Sequence, residues 1–210
     1  MSEAVFQLFS WQIHNYPILA VAVNLSLLVV PWAIVKILQK WHQRREFKHF
    51  FFKVMGAALA ILWLVFFPNT AYIITDVRHL VDYCPPASPY NACLAGANFI
   101  LFFFSYALVG WIAFVLFLNQ MRQLASRCWG KGAALLIVLA VIPLTSLGVL
   151  LGLLQRWHSW EALIFAPLLW QDIKLYFSAH PYFMTWLFYT IGLGALYGAG
   201  NWLFGNKLWK

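Results

Sequence analysis

Three ionisable side chains stand within four positions of one another, at Asp76, Arg78 and His79. They follow a long apolar stretch that is interrupted at Pro68. An aspartate and a histidine three residues apart lie on one face of a helical turn, where they can ligate a divalent metal ion or act as a base with its orienting partner. The plainer alternative is a helix cap beside a hydrogen-bonded histidine. Ionisable groups at the end of a long apolar span are costly to bury and tend to be functional, which makes this turn the first candidate site.

The same spacing recurs in the opposite order at His158 and Glu161, shortly after Arg156. An arginine at the mouth of an apolar span either reaches a lipid phosphate or pairs with a carboxylate, here Asp76 or Glu161. Pairing with Asp76 would join the two turns into one polar site. The alternative is two separate helix faces in contact with solvent. In the joined arrangement Asp172 lies outside the site, and its change to asparagine should have little effect.

The chain lacks the common catalytic signatures. It has no Gly-x-Ser-x-Gly nucleophile turn, no His-Glu-x-x-His zinc helix, no phosphate-binding loop and no Cys-x-x-Cys-His haem site. Several enzyme classes are therefore disfavoured, and no cofactor is indicated. Asp76 and His79 are the only pair that we regard as candidate metal ligands.

Composition indicates the setting in which these turns lie. Of 210 residues, 63% are hydrophobic and 10% are charged, and the mean hydropathy is +0.75. Soluble domains have roughly 45–50% apolar and about 25% charged residues. The values predict an all-α, polytopic membrane helix bundle, and the length suits a single domain over residues 1–210. Eleven of the fourteen lysines and arginines flank apolar spans, so the net charge of +8 reflects membrane topology and not nucleic-acid binding.

Five stretches are long and apolar enough to cross a hydrocarbon core of about 30 Å. The first is expected to be retained, because no basic region and no small-residue cleavage site marks it as a signal peptide. The five predicted spans are residues 16–38, 50–74, 94–118, 133–154 and 182–204.

Prolines shape two further segments. Pro68 removes a backbone donor within the second span, and the Asn69 amide is expected to bond a carbonyl that this frees.

Residues 155–181 contain apolar runs too short to cross a membrane. We therefore expect two short interfacial helices there, on the extracytoplasmic side, separated by Pro167 and with Ser159 capping the first.

The basic residues orient the bundle. The eleven clustered cations lie within residues 36–53, 122–131 and 207–210, which the positive-inside bias places in the cytoplasm. The N-terminus is then extracytoplasmic, the C-terminus is cytoplasmic, and both candidate turns lie at the outer boundary.

The three cysteines divide between the two predicted sides. Cys84 and Cys93 fall in a proline-rich extracytoplasmic loop, where a disulfide can persist. A bridge and two free thiols are equally compatible with their spacing. Cys128 lies at the cytoplasmic end of the third span and is expected to be free.

Two small-xxx-small patterns favour close helix contacts, Gly148 with Gly152 and Gly194 with Gly198. The first pair can bring the fourth span onto the second. Glycine-rich faces can also receive a second copy of the chain or another membrane protein. The bilayer itself is the remaining partner that the sequence implies.

Two motifs resemble those of a bacterial membrane family known as domain of unknown function 1361. The first consists of Pro68-Asn69, Tyr72, Thr75-Asp76 and His79-Leu80. The second is the Gly148/Gly152 pair followed by Arg156-Trp157-His158-Ser159-Trp160-Glu161. The family pattern usually has arginine, asparagine and aspartate where this chain has Leu153, His158 and Glu161.

The resemblance implies a bacterial inner-membrane protein and carries no known activity. The arginine that is missing at position 153 argues against a strongly anion-binding site, and the histidine at position 158 is not expected to be a family-wide ligand. The resemblance concentrates the candidate pocket on Asn69, Tyr72, Asp76, His79, Arg156, Trp157, Trp160 and Glu161.

Three functions are compatible with such a pocket. The favoured one is binding or transport of a small molecule or lipid headgroup at the outer boundary. The second is a structural or partner-binding subunit, suggested by the twelve tryptophans and the glycine faces. The third is a membrane-embedded enzyme, with or without a metal ion, acting on a lipid-linked substrate through Asp76 and His79. Few polar residues lie deep in the spans, which favours a boundary site over a channel.

The predicted topology is tested by single cysteines at Gln43 and Ser88 in an otherwise cysteine-free chain. Residues 39–49 and 119–132 should face the cytoplasm, and residues 75–93 and 155–181 the outside, because basic residues concentrate in the first pair of segments. A membrane-impermeant maleimide added to intact cells should label position 88 and leave position 43 unlabelled. The reverse pattern contradicts the orientation.

Overall fold

The computed structural model describes residues 12–13, 16–82 and 94–204, and it confirms an all-α helix bundle. A short antiparallel pairing of β1 (Gln12–Ile13) with β2 (Tyr16–Pro17) precedes the helices. Two 3₁₀ helices cover Glu46–Lys48 and Asp76–Asp82. The α-helices are α1 (Ile18–Leu27), α2 (Val29–Gln43), α3 (Phe50–Phe66), α4 (Pro68–Thr75), α5 (Leu94–Trp129), α6 (Lys131–Leu154), α7 (Ser159–Ile164), α8 (Ala166–Ser178) and α9 (His180–Phe204).

Within the described residues, four helical segments are long and apolar enough to cross a membrane. They are Leu19–Gln43, Phe50–His79, Asn98–Trp129 and Lys131–Leu154. The fifth predicted span is α9, whose 25 residues extend about 37 Å. That length exceeds a hydrocarbon core of about 30 Å, and its membrane crossing stays a prediction.

The third helix is longer than its predicted span. The predicted span ends at residue 118, but α5 continues to Trp129 and only Gly130 separates it from α6. Arginine is a good helix former, so Arg122 and Arg127 do not end the helix. Gly130 does, because its φ of 90° lies where other residues are strained.

The second span is interrupted at the predicted position. Helix α3 ends at Phe66, and Pro68 is the first residue of α4. The expected role of Asn69 is wrong. The Asn69 amide donates to Ser159 Oγ at 3.0 Å, and the Phe67 carbonyl accepts the Thr70 hydroxyl at 2.8 Å and the Thr70 backbone N–H at 3.0 Å.

The core lies around α5, which contacts α2, α4, α6 and α9. Trp63 stacks on Phe67 with ring centroids 4.3 Å apart, and Phe67 stacks on Phe114 at 5.5 Å. The side chains of Phe67 and Phe114 are fully buried and that of Trp63 almost so. The interrupted span is therefore joined to α5 by a row of aromatic rings.

Helix α9 is attached to α5 by a polar network. Asn119 donates to Asn201 Oδ1 at 2.6 Å and accepts from the Tyr197 hydroxyl at 2.7 Å, and Asn201 donates to the Tyr197 carbonyl at 3.1 Å. Trp111 adds a bond to the Leu196 carbonyl at 2.9 Å. Hydrogen bonds between helices are a recurrent source of association inside membranes.

The glycines of α6 make the close approach that we predicted. A Cβ atom at Gly148 would lie 2.7 Å from Pro68 Cγ. At Gly194 and Gly198 a Cβ atom would meet no atom of the described residues within 4 Å. A partner on that second face stays a prediction.

Some expectations fall outside the described residues. One is the Cys84–Cys93 disulfide. The sidedness of both termini stays a prediction. Cys128 is described, and its thiol is free, as expected.

Replacing Gly110 with alanine tests the close packing of α4 on α5. The added Cβ would lie 2.8 Å from both the Thr70 carbonyl oxygen and Ile73 Cβ, so the backbones must separate and the free energy of unfolding should fall by about 1–3 kcal/mol. Gly198→Ala is the matched control, because its Cβ meets nothing within 4 Å. Thermal unfolding in detergent should be lowered by Gly110→Ala alone. Equal midpoints for the two variants contradict the packing.

Candidate functional site

The two sequence motifs meet at one end of the bundle, which we call the Asn69 end. Asn69 Nδ2 donates a hydrogen bond to Ser159 Oγ at 3.0 Å. A Cβ atom at Gly152 would lie 3.3 Å from Tyr72 Cε2 and 3.4 Å from the Trp157 carbonyl oxygen. The turn after α6 therefore lies directly against the first turns of α4.

The turn contains one residue with a left-handed backbone conformation. Arg156 has a φ of 64°, and the Trp157 backbone N–H folds back to the Leu151 carbonyl at 3.3 Å. Glycine is the usual residue in such a helix-ending position. The Trp157 indole then donates to Asp172 Oδ2 on α8 at 2.6 Å. Asp172, which was predicted to lie outside the site, anchors the turn.

His158 and Glu161 close a capping box at the start of α7. The Glu161 carboxylate accepts the His158 backbone N–H at 2.8 Å and lies 3.0 Å from its Nδ1. These two bonds, the backbone one first, lower the pKa of Glu161. The predicted cap at Ser159 is wrong, because His158 occupies the cap position and Ser159 is the first helical residue. The His158 ring also stacks on Trp160 at 4.6 Å.

The predicted ion pair of Arg156 is not formed within the part of the chain that the structure describes. Arg156 is exposed, and no described carboxylate lies within 4.0 Å of it. The Glu161 carboxylate is bonded instead to His158 in its own turn. Asp76 is buried on another face of the α4 segment, where Asn24 Nδ2 donates to it at 3.4 Å.

A second group of polar side chains surrounds Tyr106. Its hydroxyl is buried and has no hydrogen-bond partner among the described residues. The Asn24 side chain lies within reach of this hydroxyl without forming a well-aligned hydrogen bond, and Asp76 and Tyr72 are its electrostatic neighbours. Helices α1, α4 and α5 thus each bring a polar group to one point inside the bundle.

Arg78 and His79 extend this group. Arg78 Nη2 donates to the Tyr72 hydroxyl at 3.4 Å, and Arg78 Nε donates to His79 Nε2 at 3.4 Å. The His79 ring stacks on Phe103 at 6.2 Å. We call the whole set the Tyr106 cluster, which consists of Asn24, Tyr72, Asp76, Arg78, His79 and Tyr106.

The structure thus arranges the predicted pocket residues in two adjoining sets. Tyr72 belongs to both. One set is the docked turn with Asn69, Trp157, Trp160 and Glu161, and the other is the Tyr106 cluster with Asp76 and His79. Sequence reasoning missed Tyr106 as a site residue, although a tyrosine within an apolar span is an unusual signal.

A metal centre has few ligands available here. Within the described ranges no three His, Cys, Asp or Glu side chains are grouped to hold a metal ion. Asp76 and His79 would need a third ligand from elsewhere, and their metal binding stays a prediction.

The bundle, with four apolar helices among the described residues that are long enough to cross a membrane, is consistent with a multi-pass membrane protein. Residues 23–194 match the model of the family described as "Protein of unknown function (DUF1361)", and the chain belongs to that family. The match spans both motifs and confirms the resemblance seen in the sequence. No curated protein and no solved structure matches the chain.

The anchor between Trp157 and Asp172 is tested by a double-mutant cycle. Asp172→Ala leaves the indole N–H without its acceptor and should lower the free energy of unfolding by about 1 kcal/mol. Trp157→Phe should cost about 1 kcal/mol less when Asp172 is already alanine, because the hydrogen bond is then absent and only the loss of packing remains. Gln171→Ala, an exposed neighbour on α8, should be silent. Additive losses from the two single changes would show that the side chains are not coupled.

Proposed function

We propose that this protein binds a polar headgroup bearing an ammonium group in the Tyr106 cluster. The observation that carries the proposal is the buried Tyr106 hydroxyl, which belongs to a residue that is 5% exposed and makes no well-formed hydrogen bond among the described residues, Asn24 being its one side chain within reach there. A buried polar group left unsatisfied costs about 1–3 kcal/mol. An occupant that supplies a donor or acceptor removes this cost.

The chemistry of the neighbours favours a cationic donor. Asp76 is 1% exposed, and the Tyr106 and Tyr72 hydroxyls bring further acceptor oxygens to the cluster. An N–H-bearing ammonium forms charge-assisted hydrogen bonds with carboxylate and hydroxyl oxygens. The aromatic rings of both tyrosines and of Phe103 add a favourable surface for a cation.

Arg78 supplies the opposite charge at the edge of the cluster. Its guanidinium is half-buried and contacts the Tyr72 hydroxyl and the His79 ring. Guanidinium groups recognise phosphate oxygens by paired hydrogen bonds. A cation site beside an arginine fits a phosphoethanolamine group, which occurs both in free solutes and in bilayer lipids.

The deeper polar groups support binding over passage through the bundle. Asn119, Tyr197 and Asn201 satisfy one another, and Ser146 bonds Thr190 at 2.7 Å. Groups that are paired in this way tie helices together and offer a solute no open partners. Binding is therefore favoured over transport.

The proposal is tested with purified protein and lipids of identical chains. Native mass spectrometry should show preferential retention of phosphatidylethanolamine over phosphatidylcholine, because the N-methylated headgroup has no N–H to donate. Tyr106→Phe should weaken retention of phosphatidylethanolamine about tenfold, as expected for loss of a hydrogen bond to a charged group. Tyr189→Phe is the matched control, since this half-buried tyrosine packs outside the cluster.

Free phosphoethanolamine distinguishes the two sources of the ligand. Displacement of the lipid by millimolar phosphoethanolamine indicates a solute site, and lipid binding without displacement indicates a lipid site. Equal retention of the two lipids, or equal effects of Tyr106→Phe and Tyr189→Phe, contradicts the proposal.

A further inference from the structure

A second candidate site lies at the opposite end of the bundle, in a cavity of about 820 Å³ between α2, α3, α5 and α6. We call it the His42-end cavity. Its inner wall is apolar and includes Leu38, Ala60 and Leu124. The size falls in the range of about 300–1,000 Å³ that is usual for small-ligand sites. No residue of the Tyr106 cluster lines it, so a ligand in this cavity is independent of the proposed function.

Trp63 lines this cavity and provides a buried, unpartnered donor. The residue is 2% exposed, and its Nε1–H has no acceptor among the described residues. An indole nitrogen can only donate. An occupant of the cavity must therefore offer an acceptor oxygen to satisfy it, which a plain hydrocarbon cannot do.

The mouth of the cavity is positively charged. Arg45, Lys53 and Arg127 line it, and all three are exposed. They come from two separate basic segments, which are held together where Cys128 Sγ lies 3.3 Å from His42 Nδ1. No aspartate or glutamate is found among the described lining residues, so the cations remain available to an anion.

We infer that the His42-end cavity holds one anionic phospholipid. An acyl chain lies along the apolar wall, an ester oxygen accepts the Trp63 N–H, and the phosphate and headgroup contact Arg45, Lys53 and Arg127. Basic segments next to a membrane attract anionic lipids of the adjoining leaflet. The three features of the cavity correspond to the apolar, ester and charged parts of one molecule.

The headgroup contact is tested first, by native mass spectrometry of the purified full chain titrated with phosphatidylglycerol or phosphatidylcholine of identical acyl chains. One phosphatidylglycerol should bind more tightly than phosphatidylcholine. Arg127→Gln should weaken phosphatidylglycerol binding about fivefold, as expected for loss of one cation near a phosphate. Arg122→Gln, an exposed arginine of the same helix that does not line the cavity, should leave it unchanged.

Trp63→Phe tests the buried contact. It keeps an aromatic ring that can stack on Phe67 and removes the N–H together with the five-membered part of the indole, so both lipids should lose affinity by about fivefold. Occupancy has a second readout, because Cys128 also lines the cavity. Phosphatidylglycerol should slow alkylation of Cys128 by N-ethylmaleimide, followed on its own peptide, and should do so less in Arg127→Gln.

Two results overturn the inference. One is equal affinity for the two lipids, which indicates unselective bilayer lipid. The other is an equal loss for Arg122→Gln and Arg127→Gln, which indicates a general surface-charge effect. If Trp63→Phe unfolds, the arginine pair and Cys128 protection decide the matter alone.

Discussion

The short helix Pro68–Thr75 is packed between glycines of two neighbouring helices, and the arrangement of the polar groups near it depends on that packing. Gly110 of α5 admits the Thr70 carbonyl and Ile73, and Gly148 and Gly152 of α6 admit Pro68 and Tyr72. Without side chains at these points the backbones can approach to distances at which dispersion forces and hydrogen bonds hold helices together.

That packing determines which polar groups meet. The contact of Tyr72 with Gly152 brings the turn after α6 against α4, where Asn69 bonds Ser159. The same segment leads into Asp76, which accepts a hydrogen bond from Asn24. It also makes Tyr72 an electrostatic neighbour of Tyr106. In an apolar interior each unsatisfied polar group is costly, so the buried hydroxyl of Tyr106 and the buried indole N–H of Trp63 are the features that most strongly imply occupants.

Local chemistry explains what could be predicted from the sequence. Pro68 interrupts its span because a proline cannot continue the hydrogen-bond pattern, and Gly148 and Gly152 allow a close approach because they lack side chains. Apolar length and composition suffice to predict the membrane helices. The end of α5 was misjudged because charged residues such as Arg122 signal a membrane boundary without ending a helix.

Tertiary partners could not be predicted in the same way. Asn69 has an amide that suits several acceptors, and only the fold shows that it bonds Ser159. Arg156 seemed a natural partner for Asp76, but the left-handed turn exposes it and Asp76 lies on another face. Tyr106 and Asn24 come from different spans, and nothing in their local sequence indicates that they meet.

The docking of the two motifs is tested most directly by a cross-link. Asn69→Cys and Ser159→Cys, in a chain whose native cysteines are replaced by serine, put two thiols where side-chain atoms now lie 3.0 Å apart. Mild oxidation in the membrane should form an intramolecular disulfide in most molecules, seen as a mobility shift that reductant reverses and that either single cysteine lacks. Absence of the cross-link, with both thiols open to alkylation, would contradict the docking of the two motifs.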